Sequence, residues 1–141
     1  MSARVRVVRP SVVEHNSDAL EIHMKRFLAI YIGTAEAAEK SGWNALDPAK
    51  RREREQAGIK AWMEWGAANR ASIVEMGSPL GKTKRTAADG VTDIKNAMTA
   101  YTIITAESHE AAAKLFLNHP HFTIFPGDSV EIMECLPLPG Q

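Results

Sequence analysis

Apolar strands and amphipathic helices alternate along this chain in the order β-α-β-β-α-β, which predicts an α+β fold. Three observations support it. Residues 27–32 and 99–106 are apolar on both alternating faces, as central strands are, and Asp47-Pro48 marks a helix start between them. Two right-handed β-α-β crossovers of this kind place four strands in one sheet and both helices on one face. We therefore expect a ferredoxin-like sheet.

The first half of the chain provides the first strand and the first helix. Gly33 ends the strand over residues 27–32. Asp47 is a capping residue, and Pro48 suits the first helical position. The second half of this helix has apolar or small residues at helical spacing: Ile59, Trp62, Met63 and Gly66. It is therefore predicted to pack on the sheet.

Two more strands are predicted in the middle of the chain. Residues 73–77 read as a strand that Ser78-Pro79 breaks, and residues 82–87 as an exposed, cationic edge that continues it as a bent hairpin arm. Residues 99–106 are rich in β-branched and aromatic side chains, which favours a second central strand.

A helix and a strand close the predicted fold. Ser108 caps the helix, and Asn118 with Pro120 ends it. The last strand is predicted over residues 130–136. The buried stripe of the helix is formed by Ala112, Leu115 and Phe116.

This arrangement leaves one face of the sheet without helices. Both central strands are apolar on both faces. The apolar area of the bare face would therefore exceed the few hundred Å² of contiguous apolar surface that soluble monomers expose. We therefore predict a symmetric homodimer, sheet against sheet. The alternative is an additional strand from an N-terminal segment with five valines: Val5, Val7, Val8, Val12 and Val13. Otherwise residues 1–23 are expected to be a flexible extension before one domain over residues 24–141.

Composition excludes several classes of function. The 141 residues suit one domain, and 17 basic and 17 acidic side chains cancel, so we expect no nucleic-acid partner. No apolar run suits a bilayer or a secretory signal, which predicts no membrane association and a cytoplasmic protein. Cys135 is the only cysteine, so an internal disulfide is excluded. Residues 77–83 resemble a phosphate-binding P-loop, but the spacing between the glycines is one residue too short. We expect no cofactor.

Short motifs spread over residues 24–138 resemble those of the YCII-related family. They are Met24-Lys25-Arg26-Phe27-Leu28-Ala29-Ile30-Tyr31, Trp62 with Trp65, Gly77-Ser78-Pro79-Leu80, Val91-Thr92-Asp93, Tyr101-Thr102-Ile103-Ile104, Glu107-Ser108-His109-Glu110-Ala111-Ala112 and Val130-Glu131-Ile132-Met133. The resemblance implies a ferredoxin-like fold that pairs into a dimeric α+β barrel. Of the Asp-Gly-Pro-Phe motif that names one branch, only Asp93 matches here. The histidine of the family's His and Asp pair follows the first strand, where this chain has none.

The strongest candidate for chemistry is the segment over residues 119–134, which holds two histidines and three carboxylates. His121 is predicted to be shielded by neighbouring apolar residues and to hydrogen-bond Asp128, as an acid-base or ligand-orienting pair. The alternative is a buried structural hydrogen bond. His121 and Asp128 are therefore the predicted catalytic residues.

Four other residues are predicted to contact a substrate. Tyr31 and Tyr101 lie on the two central strands and are predicted to direct their hydroxyls toward one pocket, unless they are ordinary core tyrosines. Asp93 is placed at the cleft mouth, although an ion pair within its loop is equally consistent. Glu131 on the last strand is predicted to face the cleft.

These candidates lead to three hypotheses. The first is a small organic molecule bound in a cleft between sheet and helices, with proton transfer by His121 assisted by Asp128. The second is a non-catalytic homodimeric interaction or regulatory module. The third is a metal-dependent enzyme, which requires His119 and His121 to point the same way with a third ligand from Asp128 or Glu131.

Overall fold

The computed structural model describes residues 24–140. The strands are β1 (Lys25–Ile32), β2 (Ile73–Glu75), β3 (Thr83–Ala87), β4 (Gly90–Ile94), β5 (Met98–Ala106) and β6 (Ser129–Glu134). The helices are α1 (Ala35–Lys40), α2 (Pro48–Ala68), α3 (His109–Lys114) and α4 (Pro120–Thr123), with short 3-10 turns at Trp43–Ala45 and Arg70–Ser72. The predictions for residues 1–23 lie outside the described residues.

The main sheet has four antiparallel strands in the order β2-β5-β1-β6. This is the order that the β-α-β-β-α-β sequence of elements requires, with the first strand and the third strand of the motif in the centre. The predicted ferredoxin-like α+β fold class is confirmed. Both central strands were predicted correctly because their sequences carry apolar residues on both alternating faces.

The core lies between this sheet and the helices. Phe27, Ala29 and Tyr31 of β1 and Ile104 of β5 are completely buried. Helices α2 and α3 and the turn that follows α3 contribute other members of this cluster: Trp62, Trp65, Ala111, Ala112, Leu115 and Phe116. Because neighbouring strand residues point to opposite faces, Leu28, Ile30 and Ile103 lie on the face away from this core.

Helix α2 begins where the sequence predicted. The Asp47 carboxylate accepts a hydrogen bond of 2.9 Å from the Lys50 backbone N–H, and Pro48 occupies the first helical position, where no N–H is needed. Further along the helix, the Trp65 indole N–H donates to the Leu115 carbonyl at 2.9 Å. This bond ties α2 to the chain that follows α3.

The hairpin arm differs from the prediction in its pairing. Residues 83–87 do form a strand, but they pair with β4 in a separate two-stranded sheet. Strand β2 is also shorter than predicted, ending at Glu75. Gly77 follows with a φ of 78°, a left-handed conformation that ends the strand.

The prediction that Pro120 only ends a helix was wrong. Helix α3 ends at Lys114, well before Asn118, which has a φ of 59°. Pro120 then begins α4 at its first position. A proline tolerates that position because its missing N–H would have no intrahelical partner. Helix α1 was not predicted either. Among the described residues, no helix is long and apolar enough to cross a membrane.

Candidate functional site

A cavity of about 650 Å³ opens between α2 and the main sheet. Its walls are the end of β1 with the start of α1, one side of α2, the segment over residues 76–79, the start of β5 and the loop over residues 125–127. The aromatic part of the lining consists of Trp62, Tyr101, His121 and Phe125. Phe125 packs so closely on Gly58 of α2 that a Cβ at Gly58 would overlap its ring.

His121 and Tyr101 are the titratable residues that line this cavity, and the Tyr101 hydroxyl is already bonded to Glu75. The His121 Nε2 lies 2.8 Å from the Ile32 carbonyl oxygen at the end of β1. The same oxygen accepts the Asp128 backbone N–H at 2.9 Å. Gly127 lies directly on the imidazole, because a Cβ there would overlap three ring atoms. The last residue of β1 and the 125–128 loop therefore fix the ring together.

The environment keeps His121 neutral. Burial lowers the pKa of His121, although the backbone carbonyls of Ile32 and Ser129 and the negative charge of Asp128 favour the protonated ring. A carbonyl oxygen only accepts, so Nε2 carries the proton that is donated to Ile32. In the neutral ring, Nδ1 then carries a lone pair.

Asp128 does not form the predicted hydrogen bond with His121. Its carboxylate accepts from the Ser129 hydroxyl at 2.8 Å and is exposed. The ring N–H is taken by the carbonyl of Ile32, which also holds the backbone of Asp128. Asp128 thus acts on His121 through its charge.

His119 lies behind His121, away from solvent. Its side chain is completely buried, and Nδ1 accepts the His121 backbone N–H at 3.0 Å, which caps α4. Its ring centroid lies 4.5 Å from that of Trp62 and 4.7 Å from that of Trp65. Its Nε2 has no hydrogen-bond partner among residues 24–140. Burial, and secondarily the charge of His121, lower the pKa of His119 to about 3.

This geometry does not bring the two histidines together as metal ligands. The metal hypothesis required an extended backbone, whereas the chain enters α4 between them and His119 Nδ1 is engaged by the backbone. In the part of the chain that the structure describes, no group of three His, Cys, Asp or Glu side chains is placed to hold a metal ion.

The two candidate tyrosines lie on opposite faces of the sheet. Tyr101 pairs with Ile30, which precedes Tyr31 on β1. Paired residues lie on the same face and neighbouring residues on opposite faces, so the two tyrosine side chains point to opposite faces. The Tyr31 hydroxyl donates to Thr102 at 2.9 Å on the helix side; burial raises the pKa of Tyr31 to about 12. The Tyr101 hydroxyl donates to Glu75. The expectation that both hydroxyls enter one pocket was wrong.

The two remaining carboxylates also lie outside the cavity. Asp93 pairs with Lys84 at 2.6 Å across the β3–β4 hairpin, with its side chain 83% exposed, so it forms the local ion pair that was the alternative. Glu131 pairs with Ile30 and is exposed on the sheet face away from the core. Of the six predicted site residues, only His121 and Tyr101 line the cavity.

Sequence analysis missed the glycines that shape the walls. Gly33, Gly77 and Gly127 all line the cavity, and each is in close contact with another part of the chain. The available signal was a glycine beside a strand end or a turn, which marks a close backbone approach as well as a bend. Trp62 was interpreted as core, and it serves both as core and as cavity wall.

Comparisons with known proteins found similarity among solved structures only. No protein-family model matches the chain, and no curated protein matches it. A similar solved structure is the 5-chloro-2-hydroxyhydroquinone dehydrochlorinase from Burkholderia phenoliruptrix, in complex with 2,5-dihydroxybenzoquinone. The identity is 15% and the TM-score 0.46, over 79% of this chain and 93% of that chain. A likeness of this degree carries no information on substrate or activity.

Proposed function

We propose that the protein binds a small organic molecule in the cavity beside α2, and that His121 is the group that hydrogen-bonds to it. One observation carries the proposal: a buried, neutral imidazole lines a concave, aromatic-walled cavity of about 650 Å³. Cavities that bind small molecules are commonly of this size, mostly apolar, with a few placed polar groups.

The hydrogen-bonding pattern of His121 defines its chemistry. With Nε2 donating to Ile32, Nδ1 is the acceptor for a hydroxyl or amide N–H of the ligand. If that proton moves to Nδ1, the ligand keeps the negative charge beside the new imidazolium, and this ion pair replaces the neutral hydrogen bond. The imidazolium is favoured by the carbonyls of Ile32 and Ser129 and by the charge of Asp128. Proton transfer by His121, with Asp128 acting through it, therefore belongs to the proposal.

The first test is a ligand pair that differs by one proton donor. Isothermal titration with 2-naphthol and 2-methoxynaphthalene compares a hydroxyl with a methylated oxygen on the same aromatic body. We expect the wild type to prefer 2-naphthol about fivefold, since a neutral hydrogen bond contributes about 1 kcal/mol. In His121→Phe, which keeps a ring but removes both nitrogens, the two affinities should become nearly equal.

The difference between the two proteins separates hydrogen bonding from hydrophobicity, because both ligands bring the same rings. A preference for 2-naphthol that survives in His121→Phe would remove His121 from the proposal. Failure of both ligands to bind the wild type would overturn the ligand-binding function, and would favour the alternative of a non-catalytic interaction module.

We also propose that the protein's partner is a second copy of the chain. The sheet face away from the core carries Leu28, Ile30, Ile103 and Met133, and Met133 is 41% exposed. A symmetric pair would bury these side chains against one another. The resemblance to the YCII-related family, which implies paired sheets, supports this arrangement.

Sedimentation velocity tests the dimer. The mass found for the wild type should be twice the 15.5 kDa chain mass. The mass found for Met133→Lys should be that of one chain, because a lysine within the proposed interface would be buried without a partner. Leu117→Lys is the matched control: Leu117 is also exposed but lies beside α3, so this variant should remain dimeric. A monomeric wild type, or a dimeric Met133→Lys, would refute the pairing of these faces.

A further inference from the structure

We infer that the ligand of this cavity is an uncharged molecule with an apolar body and one polar end, and that the polar end lies where β1 ends. This inference rests on the proposed function and narrows it to a substrate class. It comes from the charges and the hydrogen-bonding state of the lining residues.

The lining contains no ionised side chain. None of the described residues that line the cavity is Asp, Glu, Lys or Arg. A ligand carboxylate, phosphate or ammonium would therefore lose its hydration without gaining an opposite charge, which is strongly unfavourable. The cavity selects against anions and cations alike.

Three of the polar residues that line the cavity lie at one end of it, around residues 32–34. His121 is held on the Ile32 carbonyl. Thr99 lies against the next residue, Gly33, because a Cβ there would come within 2.9 Å of the Thr99 methyl group. Thr34 follows Gly33 directly. The side chains of His121, Thr99 and Thr34 therefore lie close together around residues 32–34.

The hydrogen bonds of the two threonines leave complementary groups available. The Thr34 hydroxyl oxygen accepts the Ala37 backbone N–H at 3.0 Å, so its own proton remains available to donate. The Thr99 hydroxyl donates to the Tyr31 carbonyl at 2.9 Å, so its lone pairs remain available to accept. The polar end of the cavity therefore offers one donor, Thr34, and two acceptors, Thr99 and His121 Nδ1.

The opposite end is apolar. Ile59 and Met63, one turn apart on α2, line the cavity and are exposed at its lip. Met76 lies across from them and packs on α2, since a Cβ at Gly66 would come within 3.2 Å of its terminal methyl group. Flexible apolar side chains of this kind fit a hydrocarbon or aromatic body.

These two ends define the ligand class. Its polar end both donates and accepts hydrogen bonds and carries no charge, as in an alcohol, a phenol or a carboxamide. The hydrogen-bond donor of the ligand donates to His121 or Thr99, and its acceptor accepts from the Thr34 hydroxyl. Phosphorylated compounds, carboxylic acids and amines are excluded.

A neutral and an anionic probe of the same shape test the charge requirement. We expect wild-type protein to bind 2-naphthamide at least about 30-fold more tightly than 2-naphthoate near neutral pH, because only the anion loses its hydration uncompensated. Ala38→Lys should reverse the preference. Ala38 lines the cavity one helical turn after Thr34, and its backbone N–H donates to the Thr34 carbonyl, so the new ammonium would reach the polar end.

Ala37→Lys is the matched control, because Ala37 neighbours Ala38 on α1 but does not line the cavity. This variant should keep the wild-type preference for the amide. Equal affinity of the wild type for amide and carboxylate would overturn the inference while leaving the proposed function intact. If neither of these probes, nor 2-naphthol, nor 2-methoxynaphthalene binds, the proposed function and this inference fail together.

Discussion

Replacing Gly77 by alanine is expected to lower the free energy of unfolding by about 4 kcal/mol, whereas the same change at Gly42 should cost only about 1 kcal/mol. The two glycines have nearly the same backbone conformation, with φ of 78° and 76°. Both substitutions therefore carry a similar penalty for a left-handed residue. They differ in the space around the new Cβ.

At Gly42 a Cβ would have no neighbour within 4 Å, but at Gly77 it would overlap the carbonyl oxygen of Tyr101. That oxygen belongs to β5, which pairs on both sides, with β1 and β2, and it cannot move aside as a flexible side-chain tip would. The segment over residues 76–79 must shift instead. This shift would also strain the bond of 2.8 Å from the Thr102 hydroxyl to the Met76 carbonyl.

Urea denaturation of the two variants, followed by circular dichroism, measures the difference. The denaturation midpoint should fall far more for Gly77→Ala than for Gly42→Ala, with similar slopes. Equal losses would mean that only the left-handed conformation matters and that the close approach of residues 76–79 to β5 is not rigid.

Elements with a strong local pattern could be predicted from the sequence. Strands β1 and β5 have no polar face, and the cap at Asp47 is a purely local signal, so these elements lie where they were expected. Short helices lack such signals. Helix α4 has only four residues, and its proline is equally typical of a helix end and a helix start.

The site depends on information that no local pattern carries. The face of a strand residue depends on the register between β1 and β5, and a shift of one position exchanges the faces. Register therefore places Tyr31 in the core and the Tyr101 hydroxyl on the other side. The cavity likewise joins segments that are far apart in the chain, from Gly33 to Gly127.

His121 was found because an imidazole among apolar residues stands out in a sequence. The hydrogen-bond partner predicted for its ring N–H was wrong. The prediction chose Asp128 because this residue is the nearest carboxylate in sequence. The structure gives that role to a backbone carbonyl 89 residues away, Ile32. Backbone acceptors carry no sequence signature, so this error is inherent to prediction from residue types.

Acidification is expected to destabilise the protein through His119. The pKa of this histidine is 6.5 in a model peptide and about 3 in the folded chain. Between these values the unfolded state binds more protons than the folded state, so stability is complete above about pH 6.5 and is lost as the pH falls toward 3. Protonation at Nδ1 would also break the cap that His119 provides to α4.

The size of this loss of stability follows from the lowered pKa of His119. Between about pH 7.5 and pH 4.5 the free energy of unfolding should fall by about 2.5 kcal/mol from His119 alone. The lowered pKa of His121 acts in the same direction. Urea unfolding at both pH values measures the total, and His119→Phe, which keeps a ring among Tyr31, Trp62, Trp65 and Phe116, should remove most of it.

The second histidine variant is His109→Phe; His109 is exposed at the start of α3, with its Nε2 2.7 Å from the Ile132 carbonyl oxygen. This variant keeps His119, so it should retain the loss of stability on acidification that His119 causes. If His119→Phe loses as much stability on acidification as the wild type, the buried histidine is not the sensor. If His119→Phe instead loses much less stability than the wild type, protonation of the buried His119 causes the wild-type loss. His119 caps the helix that carries His121, and in the folded chain its pKa of about 3 keeps it neutral down to that pH. Its protonation should therefore disturb the cavity wall, and weaken binding of 2-naphthol, only near pH 3.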